Sequence, residues 1–243
     1  MCRRTVSDYV SSLLSSLQTF EDVISGGMRP GERAARAAAY ERARPEILVH
    51  VPRTAKRVLD LGCATGATGA ALKARQDVEV VGVELEPEYA REAAARLDHV
   101  IAGDVESARP EGRFDVLVAA DILEHLRDPW AALRAHAQRL EPGGTAIVSL
   151  PNVAHWSTYA QLARGSWPRR PEGIFDATHL RWFALRDACE LLLQAGLTPH
   201  TVVRRGWVYT RGSRLDVLAP PLLKVPGIRT LITFQHVIAA ISD

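Results

Sequence analysis

The feature that most constrains the fold is a series of short apolar runs that alternate with amphipathic segments between residues 57 and 150. The runs are rich in Val, Ile and Leu, and the segments between them have the periodicity of helices. This alternation is typical of a parallel sheet flanked by helices, because parallel strands need long crossover connections. The predicted strands are residues 57–61, 78–84, 99–103, 114–120 and 145–150.

Local signals set the ends of the predicted helices. Pro87 suits the first turn of one helix, and Asp128 followed by Pro129 suits the N-cap of another. The Glu-Pro-Gly-Gly sequence at 141–144 is expected to end that helix and lead into the fifth strand. The sequence further predicts a helix at 185–196, a strand at 200–208 and a last strand within 231–241.

The domain organisation follows from where the alternation starts and stops. Residues 1–50 are predicted to be mostly helical and to form an N-terminal cap or lid. Residues 51–243 are predicted to form one α/β domain, in which the irregular segment at 151–183 is an insert.

Composition limits which classes of partner the protein is expected to bind and in which cellular compartment we expect it. A formal net charge of +2 over 243 residues argues against nucleic acid and favours a small substrate. Cys2, Cys63 and Cys189 are too scattered for a disulfide scaffold or a zinc site, so we expect a cytoplasmic protein. The N-terminus lacks the features of a signal peptide, and prolines and charges interrupt the apolar stretch at 217–241. Membrane insertion is therefore not expected.

The turn after the first strand has the sequence LDLGCATGATG and resembles a nucleotide-binding loop. A dinucleotide fingerprint that starts at Gly62 requires glycine where the chain has Ala64 and Ala67. The chain instead has the spacing Asp60-x-Gly62-x-Ala64-x-Gly66.

Acidic residues also follow the next strands, at the edge where an open α/β sheet binds its ligands. Glu84 ends the second strand, Asp104 follows the third, and Asp121 follows the fourth in ADILEHLRDP. In order and spacing, these motifs resemble those of class I S-adenosylmethionine-dependent methyltransferases, over roughly residues 40 to 200. That family often has glycine at the position of Ala64, so we expect Ala64 to keep a negative φ.

The resemblance implies a Rossmann-like fold with a seven-stranded, mostly parallel sheet whose last strand is antiparallel. It also implies S-adenosyl-L-methionine as cofactor, with Glu84 accepting hydrogen bonds from both ribose hydroxyls and Asp104 accepting one from the adenine amino group. The predicted cofactor-binding residues are Asp60, Gly62, Cys63, Ala64, Gly66, Glu84, Leu85, Asp104, Val105, Ala120 and Asp121.

Methyl transfer to a hydroxyl needs a group that removes its proton, and histidine is the usual candidate near neutral pH. The candidates are His125, His155 and His179, each of which also suits a packing, capping or loop-organising role. Asp121 and Glu124 lie near His125, but no second carboxylate cluster is evident, so we expect no metal.

The insert resembles that of small-molecule methyltransferases related to ubiquinone-pathway, sugar and natural-product O-methyltransferases. Its aromatic residues are candidates for the wall of an acceptor pocket, and its arginines for binding an anionic group on the acceptor. Both sets also suit a surface insert with a small core of its own. They are Trp156, Tyr159, Trp167, Trp182, Phe183, Arg169, Arg170 and Arg181, with Tyr40 as a further candidate from the cap.

Two other functions remain open: a nicotinamide-dependent reductase, and a non-catalytic module that binds S-adenosylmethionine. The failed dinucleotide fingerprint counts against the first, and the second predicts binding without turnover. Nucleic acid is a poor acceptor candidate, because no Asn/Asp-Pro-Pro-aromatic motif follows the fourth strand. A homodimer is compatible with the sequence.

Overall fold

The computed structural model describes residues 41–206 and 219–243, and within them seven strands form a single sheet. These strands are β1 (Arg57–Leu61), β2 (Glu79–Glu84), β3 (His99–Ala102), β4 (Phe114–Ala120), β5 (Leu140–Pro151), β6 (Leu197–Gly206) and β7 (Thr233–Ser242).

The strand order is β3-β2-β1-β4-β5-β7-β6. The first five strands pair in parallel, whereas β7 is antiparallel to both β5 and β6. The predicted seven-stranded, mostly parallel sheet is therefore confirmed. Because the order reverses between β1 and β4, the carboxyl ends of these strands open a crevice where such sheets bind ligands.

Helices cover both faces of the sheet. Asp128 caps one of them as predicted, since its side chain accepts a hydrogen bond from Ala131 N at 3.0 Å. The helices are α1 (Pro45–Leu48), α2 (Ala67–Arg75), α3 (Pro87–Ala94), α4 (Pro129–Ala137), α5 (Trp156–Ala163), α6 (Leu185–Gln194), α7 (Ala219–Leu222) and α8 (Ile228–Ile232), with a short 3₁₀ helix at Leu123–His125.

The strands bury alternate residues on opposite faces, as a sheet covered on both sides requires. In β4, Val116 and Val118 pack in the core cluster that includes Leu72 of α2. Leu117 and Ala119 pack in the other cluster, against helices α4 and α6. The two cores hold the central strands rigidly, and the loops at their carboxyl ends are positioned by them.

Two local expectations are wrong. Residues 141–144 do not precede the fifth strand but lie within β5, because a register shift and a positive φ of 74° at Gly143 let the chain bulge and pair again. The insert is not wholly irregular, because α5 forms in it after a capping side chain at His155.

The predicted N-terminal cap lies largely outside the described residues, as does Tyr40. The described part of the chain contains no helix that is both long and apolar enough to cross a bilayer.

Candidate active site

The candidate site lies at the carboxyl ends of β1, β2 and β4. The loop after β1 is held by backbone hydrogen bonds to the neighbouring strand, in which Gly62 N and Cys63 N both donate to Val83 O, at 2.8 and 3.1 Å. Gly62 and Gly66 have φ angles of 69° and 77°, so the turn uses conformations that favour glycine.

The expectation for Ala64 is wrong, because its φ is +48°. This left-handed conformation aims Ala64 N at the Glu84 carboxylate, and the resulting hydrogen bond is 2.8 Å long. The bond to a charged acceptor offsets part of the steric cost that alanine has in this region.

Glu84 organises the site from the end of β2. One carboxylate oxygen accepts from Ala64 N, and the other accepts from Glu86 N at 2.9 Å. Burial raises the pKa of Glu84, and these backbone donors partly oppose that effect. A carboxylate accepts about four hydrogen bonds, so Glu84 retains capacity for further donors.

Asp60 lies beneath the loop at the end of β1, with only 5% of its surface exposed. Burial, and then the nearby Glu84 carboxylate, raises its pKa to about 7, although Arg44 acts in the opposite direction. No described residue donates a hydrogen bond to this carboxylate. A buried acceptor in this state favours a ligand that brings a donor or a positive charge.

The remaining predicted cofactor residues lie around these two acids. Leu85 follows Glu84 and exposes 51% of its surface. Asp104 accepts from Glu106 N at 2.9 Å, and its second oxygen lies 3.6 Å from Arg127. Val105 is buried in the core, and Cys63 is buried against Gly82, so burial raises the pKa of the Cys63 thiol.

Asp121 follows Ala120 at the end of β4, where it has a positive φ of 55°. Its carboxylate pairs with Arg44 at 2.8 Å and accepts from Ser149 and Gln235 at 2.8 and 2.7 Å. Burial alone would raise the pKa of Asp121, but Arg44 and these donors lower it. Arg44 and Gln235 were missed from the sequence, because neither stands in a motif and their partners are distant along the chain.

The three candidate histidines differ in what holds them. His155 is buried, and its Nδ1 caps α5 by accepting from Ser157 N at 3.3 Å. His179 is buried, with Nδ1 at 3.2 Å from Ile174 O. His125 is only half-buried, and its Nδ1 lies 3.0 Å from Thr178 Oγ1. Of the three, His125 combines a position at the β4 end with partial access from outside.

The aromatic residues of the insert form a cluster of their own. Trp167 contacts both Phe175 and Trp182 edge-on, with ring centroids 5.1 and 5.3 Å apart. Phe183 is instead buried in the main core beside Trp130. Tyr159 of α5 exposes 54% of its surface, whereas Trp156 is half-buried.

The arginines of the insert brace its backbone. Arg169 donates to Ala177 O at 2.8 Å, Arg170 lies over the Phe175 ring, and Arg181 donates to the carbonyl of Arg127.

Glu124, His125 and His179 form a cluster whose ligand atoms lie within 4.8 Å of one another. Burial raises the pKa of Glu124 well above its usual value, and both of its carboxylate oxygens are buried and accept no hydrogen bond from the described residues. Asp121 does not join this cluster, since its carboxylate is engaged by Arg44 and Gln235. The expectation of a site without metal stays a prediction.

Comparison with known proteins gives consistent matches. Residues 32–202 match the model of a methyltransferase domain family. The chain is 29% identical over 182 residues to a ubiquinone biosynthesis O-methyltransferase of Cereibacter sphaeroides, covering 71% of this chain and 70% of that protein.

Two solved structures share the fold. An S-adenosylmethionine-dependent methyltransferase from Mesorhizobium loti superimposes with a TM-score of 0.58 at 20% identity, covering 81% of this chain and 96% of that one. Magnesium protoporphyrin IX methyltransferase from Synechocystis, which contains bound SAH, superimposes with a TM-score of 0.57 at 12% identity, covering 94% and 95%.

Proposed function

The chain belongs to the methyltransferase domain family, and we propose that it transfers a methyl group from S-adenosylmethionine to a hydroxyl of a small molecule. The observation that carries this proposal is the pair of buried acids, Asp60 and Glu84, around a left-handed glycine loop. The name of the Cereibacter relative supports oxygen as the methylated atom.

The residues at the site fit the cofactor. Asp60 suits its ammonium group, since this buried carboxylate has no donor among the described residues. Glu84 suits the ribose hydroxyls, and Leu85 with Asp104 suits the adenine. When bound, S-adenosylmethionine supplies an electrophilic methyl group on a positively charged sulfur, so the chain needs no covalent nucleophile. The loop and the buried acids would hold the cofactor in a fixed position, which in-line transfer requires.

We propose His125 as the general base. His155 acts as a helix cap, and His179 is buried with its Nδ1 directed at a backbone carbonyl. His125 lies at the end of β4 and is half-buried, so its ring is partly open to an incoming hydroxyl. The ring takes the hydroxyl proton and later releases it to water.

The partners and location follow from the same observations. We propose a small-molecule acceptor and no nucleic acid, supported by the nearly balanced charge of the chain. The acceptor's class, including natural products, and a homodimer are parts of the proposal. Cys63 and Cys189 are free thiols, which supports a cytoplasmic location.

Cofactor binding is tested by calorimetry with S-adenosylmethionine and S-adenosylhomocysteine, with NADH and NADPH as controls. We expect micromolar binding of the adenosyl ligands alone, and binding about 10- to 100-fold weaker in Glu84→Ala, because charge-assisted hydrogen bonds are lost. Glu86→Ala is the matched control, since the Glu86 side chain makes no cap hydrogen bond. Binding of a nicotinamide nucleotide instead would favour the reductase.

Binding without turnover across a panel of hydroxyl acceptors would favour the non-catalytic module.

The same turnover assay tests the expected absence of a metal, because we expect activity to survive dialysis against EDTA. Loss of activity that Mg²⁺ restores would instead show that a cation is needed, for which Glu124, His125 and His179 are the candidate ligands.

A further inference from the structure

A series of three side chains connects the insert to His125. The Asp176 carboxylate oxygen Oδ1 lies 2.7 Å from Thr178 Oγ1, and Thr178 Oγ1 lies 3.0 Å from His125 Nδ1. Asp176 is 9% exposed, whereas Thr178 and His125 are half-buried. The series therefore leads from a buried acid to the ring of the proposed base.

The chemistry of the three groups sets the direction of these hydrogen bonds. The carboxylate of Asp176 only accepts, and Thr178 has a single hydroxyl hydrogen. That hydrogen points to Asp176, whose same oxygen also accepts from Thr178 N at 2.8 Å. The hydroxyl therefore faces His125 with a lone pair, and His125 Nδ1 has to be the donor.

A second acceptor near the same nitrogen supports the assignment of His125 Nδ1 as a donor. The carbonyl oxygen of Thr178, which can only accept, lies 3.3 Å from His125 Nδ1. With two acceptors against it, Nδ1 carries the hydrogen, and the neutral ring has its lone pair on Nε2.

Backbone contacts keep the series in place. Leu180 N and Arg181 N both donate to Glu124 O, at 2.8 and 3.0 Å, which ties the insert to the 3₁₀ helix that holds His125. On the other side, Asp176 N donates to Gly173 O at 3.0 Å. The insert and the end of β4 therefore form one fixed unit around the ring.

We infer that Asp176 and Thr178 are positioning residues that fix the Nδ1–H tautomer of His125 and so make Nε2 the proton acceptor. The inference rests on the proposed function for its chemistry, although the tautomer itself does not depend on turnover. It also gives the insert a role in the reaction beyond enclosing the acceptor.

The proton transfer balances as follows. The acceptor's O–H bond breaks, a bond forms between that proton and His125 Nε2, and the ring becomes an imidazolium. The acceptor oxygen would gain a methyl group in place of its proton while the bond from the methyl carbon to the sulfonium sulfur breaks and its electron pair stays on the sulfur, so one proton is released to water for each methyl group transferred. The negative Asp176, acting through the Thr178 hydroxyl, stabilises the positive ring in the transition state.

The tautomer can be read directly by long-range ¹H–¹⁵N correlation spectroscopy on the full-length, ligand-free protein at about pH 8, where histidine is usually neutral. The signals that disappear in the spectrum of His125→Gln are those of the His125 ring. We expect the Nδ1–H form in the wild-type protein and in Thr178→Ser, which keeps the hydroxyl. Thr178→Val keeps the shape but lacks the hydroxyl acceptor, and because only the longer 3.3 Å contact with the backbone carbonyl remains, we expect a mixture of tautomers.

Kinetics of the same variants give the second readout. We expect kcat to fall about tenfold in Thr178→Val with KM for the acceptor unchanged, and Thr178→Ser to restore most of it. An Nε2–H tautomer in the wild-type protein, or a Thr178→Val variant with an unchanged tautomer, would overturn the inference. The expected tautomer in a protein that transfers no methyl group would overturn the proposed function and leave the inference standing.

Discussion

At the scale of single residues, the loop after β1 depends on glycine at one position for two separate reasons. Gly62 has a φ of 69°, and a Cβ there would lie 2.9 Å from two side-chain carbons of Ile122. Gly143 has a similar φ of 74°, but a Cβ there would meet nothing within 4 Å. A comparison of substitutions at these two glycines therefore separates the energetic cost of backbone strain from that of a steric clash.

We therefore predict that Gly143→Ala lowers the free energy of unfolding by about 1 kcal/mol, from backbone strain alone. Gly62→Ala is expected to lower it by about 2 to 4 kcal/mol, because the clash with Ile122 adds to the strain. Urea denaturation of both variants measures the difference. Equal losses would mean that Ile122 moves aside at no cost.

Burial of Asp60 makes the stability of the fold depend on pH. Its pKa is raised from 3.8 to about 7 in the folded state, so the folded protein binds a proton that the unfolded chain has released. Stability is therefore lost as pH rises from about 4 to 7. We predict that ligand-free Asp60→Asn is more stable than the wild type at pH 8, and that this advantage shrinks at pH 5.

Thermal unfolding at the two pH values tests this prediction, and Asp98→Asn serves as the control. Asp98 has a lowered pKa because Lys73 and Val80 N donate to it, despite its partial burial. Its carboxylate is ionised in both states at pH 5 and at pH 8, so its loss should cost the same at each. An Asp60→Asn effect that did not change with pH would contradict the raised pKa.

At the scale of secondary-structure elements, one side chain caps the N-terminus of α5. His155 stands at its N-cap and accepts from Ser157 N at 3.3 Å. This bond satisfies one of the backbone N–H groups that the first turn leaves without a partner. For His125 at the end of β4 we propose a different role, because the carboxyl ends of these strands open the crevice where such sheets bind ligands.

We predict that His155→Ala lowers the free energy of unfolding by about 1 kcal/mol and that His155→Asn largely retains it, because asparagine also caps helices. Neither variant should change kcat substantially. His125→Ala should lower kcat about 100-fold, because a general base is lost. Steady-state kinetics beside denaturant unfolding separate the two effects. If His155→Asn lost as much activity as His125→Ala, the assignment of His125 rather than His155 as the base would be contradicted.

At the scale of the whole molecule, ion pairs join the segment before β1 to strands at the far side of the sheet. Glu46 of α1 bonds to Arg44 and to Arg205 of β6, while Arg44 pairs with Asp121. Burial alone would raise the pKa of Glu46, but these two arginines lower it. The network closes the carboxyl edge of the sheet next to Asp60.

A double-mutant cycle with Glu46→Gln and Arg205→Met tests whether the network stabilises the fold. We predict a coupling of about 1 kcal/mol between the two sites that decreases in high salt. The Lys56–Asp77 pair, whose side chains are 68% and 97% exposed, should show no measurable coupling. Equal coupling in the two pairs would mean that the Glu46 contact has no special role.

Several parts of the fold and site were predictable from the sequence. The alternation of apolar runs and amphipathic segments reflects local periodicity, and it predicts the parallel strands and their helices. The acids at the ends of β1, β2 and β4 follow from the same pattern, because parallel strands end at one edge. Asp128 was recognisable as a cap for an equally local reason.

Other parts were decided only by the tertiary structure. The φ of Ala64 depends on hydrogen bonds from the loop to Val83 and Glu84, which lie on another strand. Arg44, Thr178 and Gln235 reach the site across the chain, and nothing in their local sequences marks them.

The physical reason is the range of the interactions. Steric limits and hydrophobic periodicity act between neighbours along the chain, so the sequence by itself determined the elements, their order and the glycine loop. Burial, charge pairing and the tautomer of a ring depend on groups that meet only after folding. Thus the raised pKa of Asp60, the Arg44–Asp121 pair and the different hydrogen-bond partners of the three histidines were decided by the tertiary structure alone.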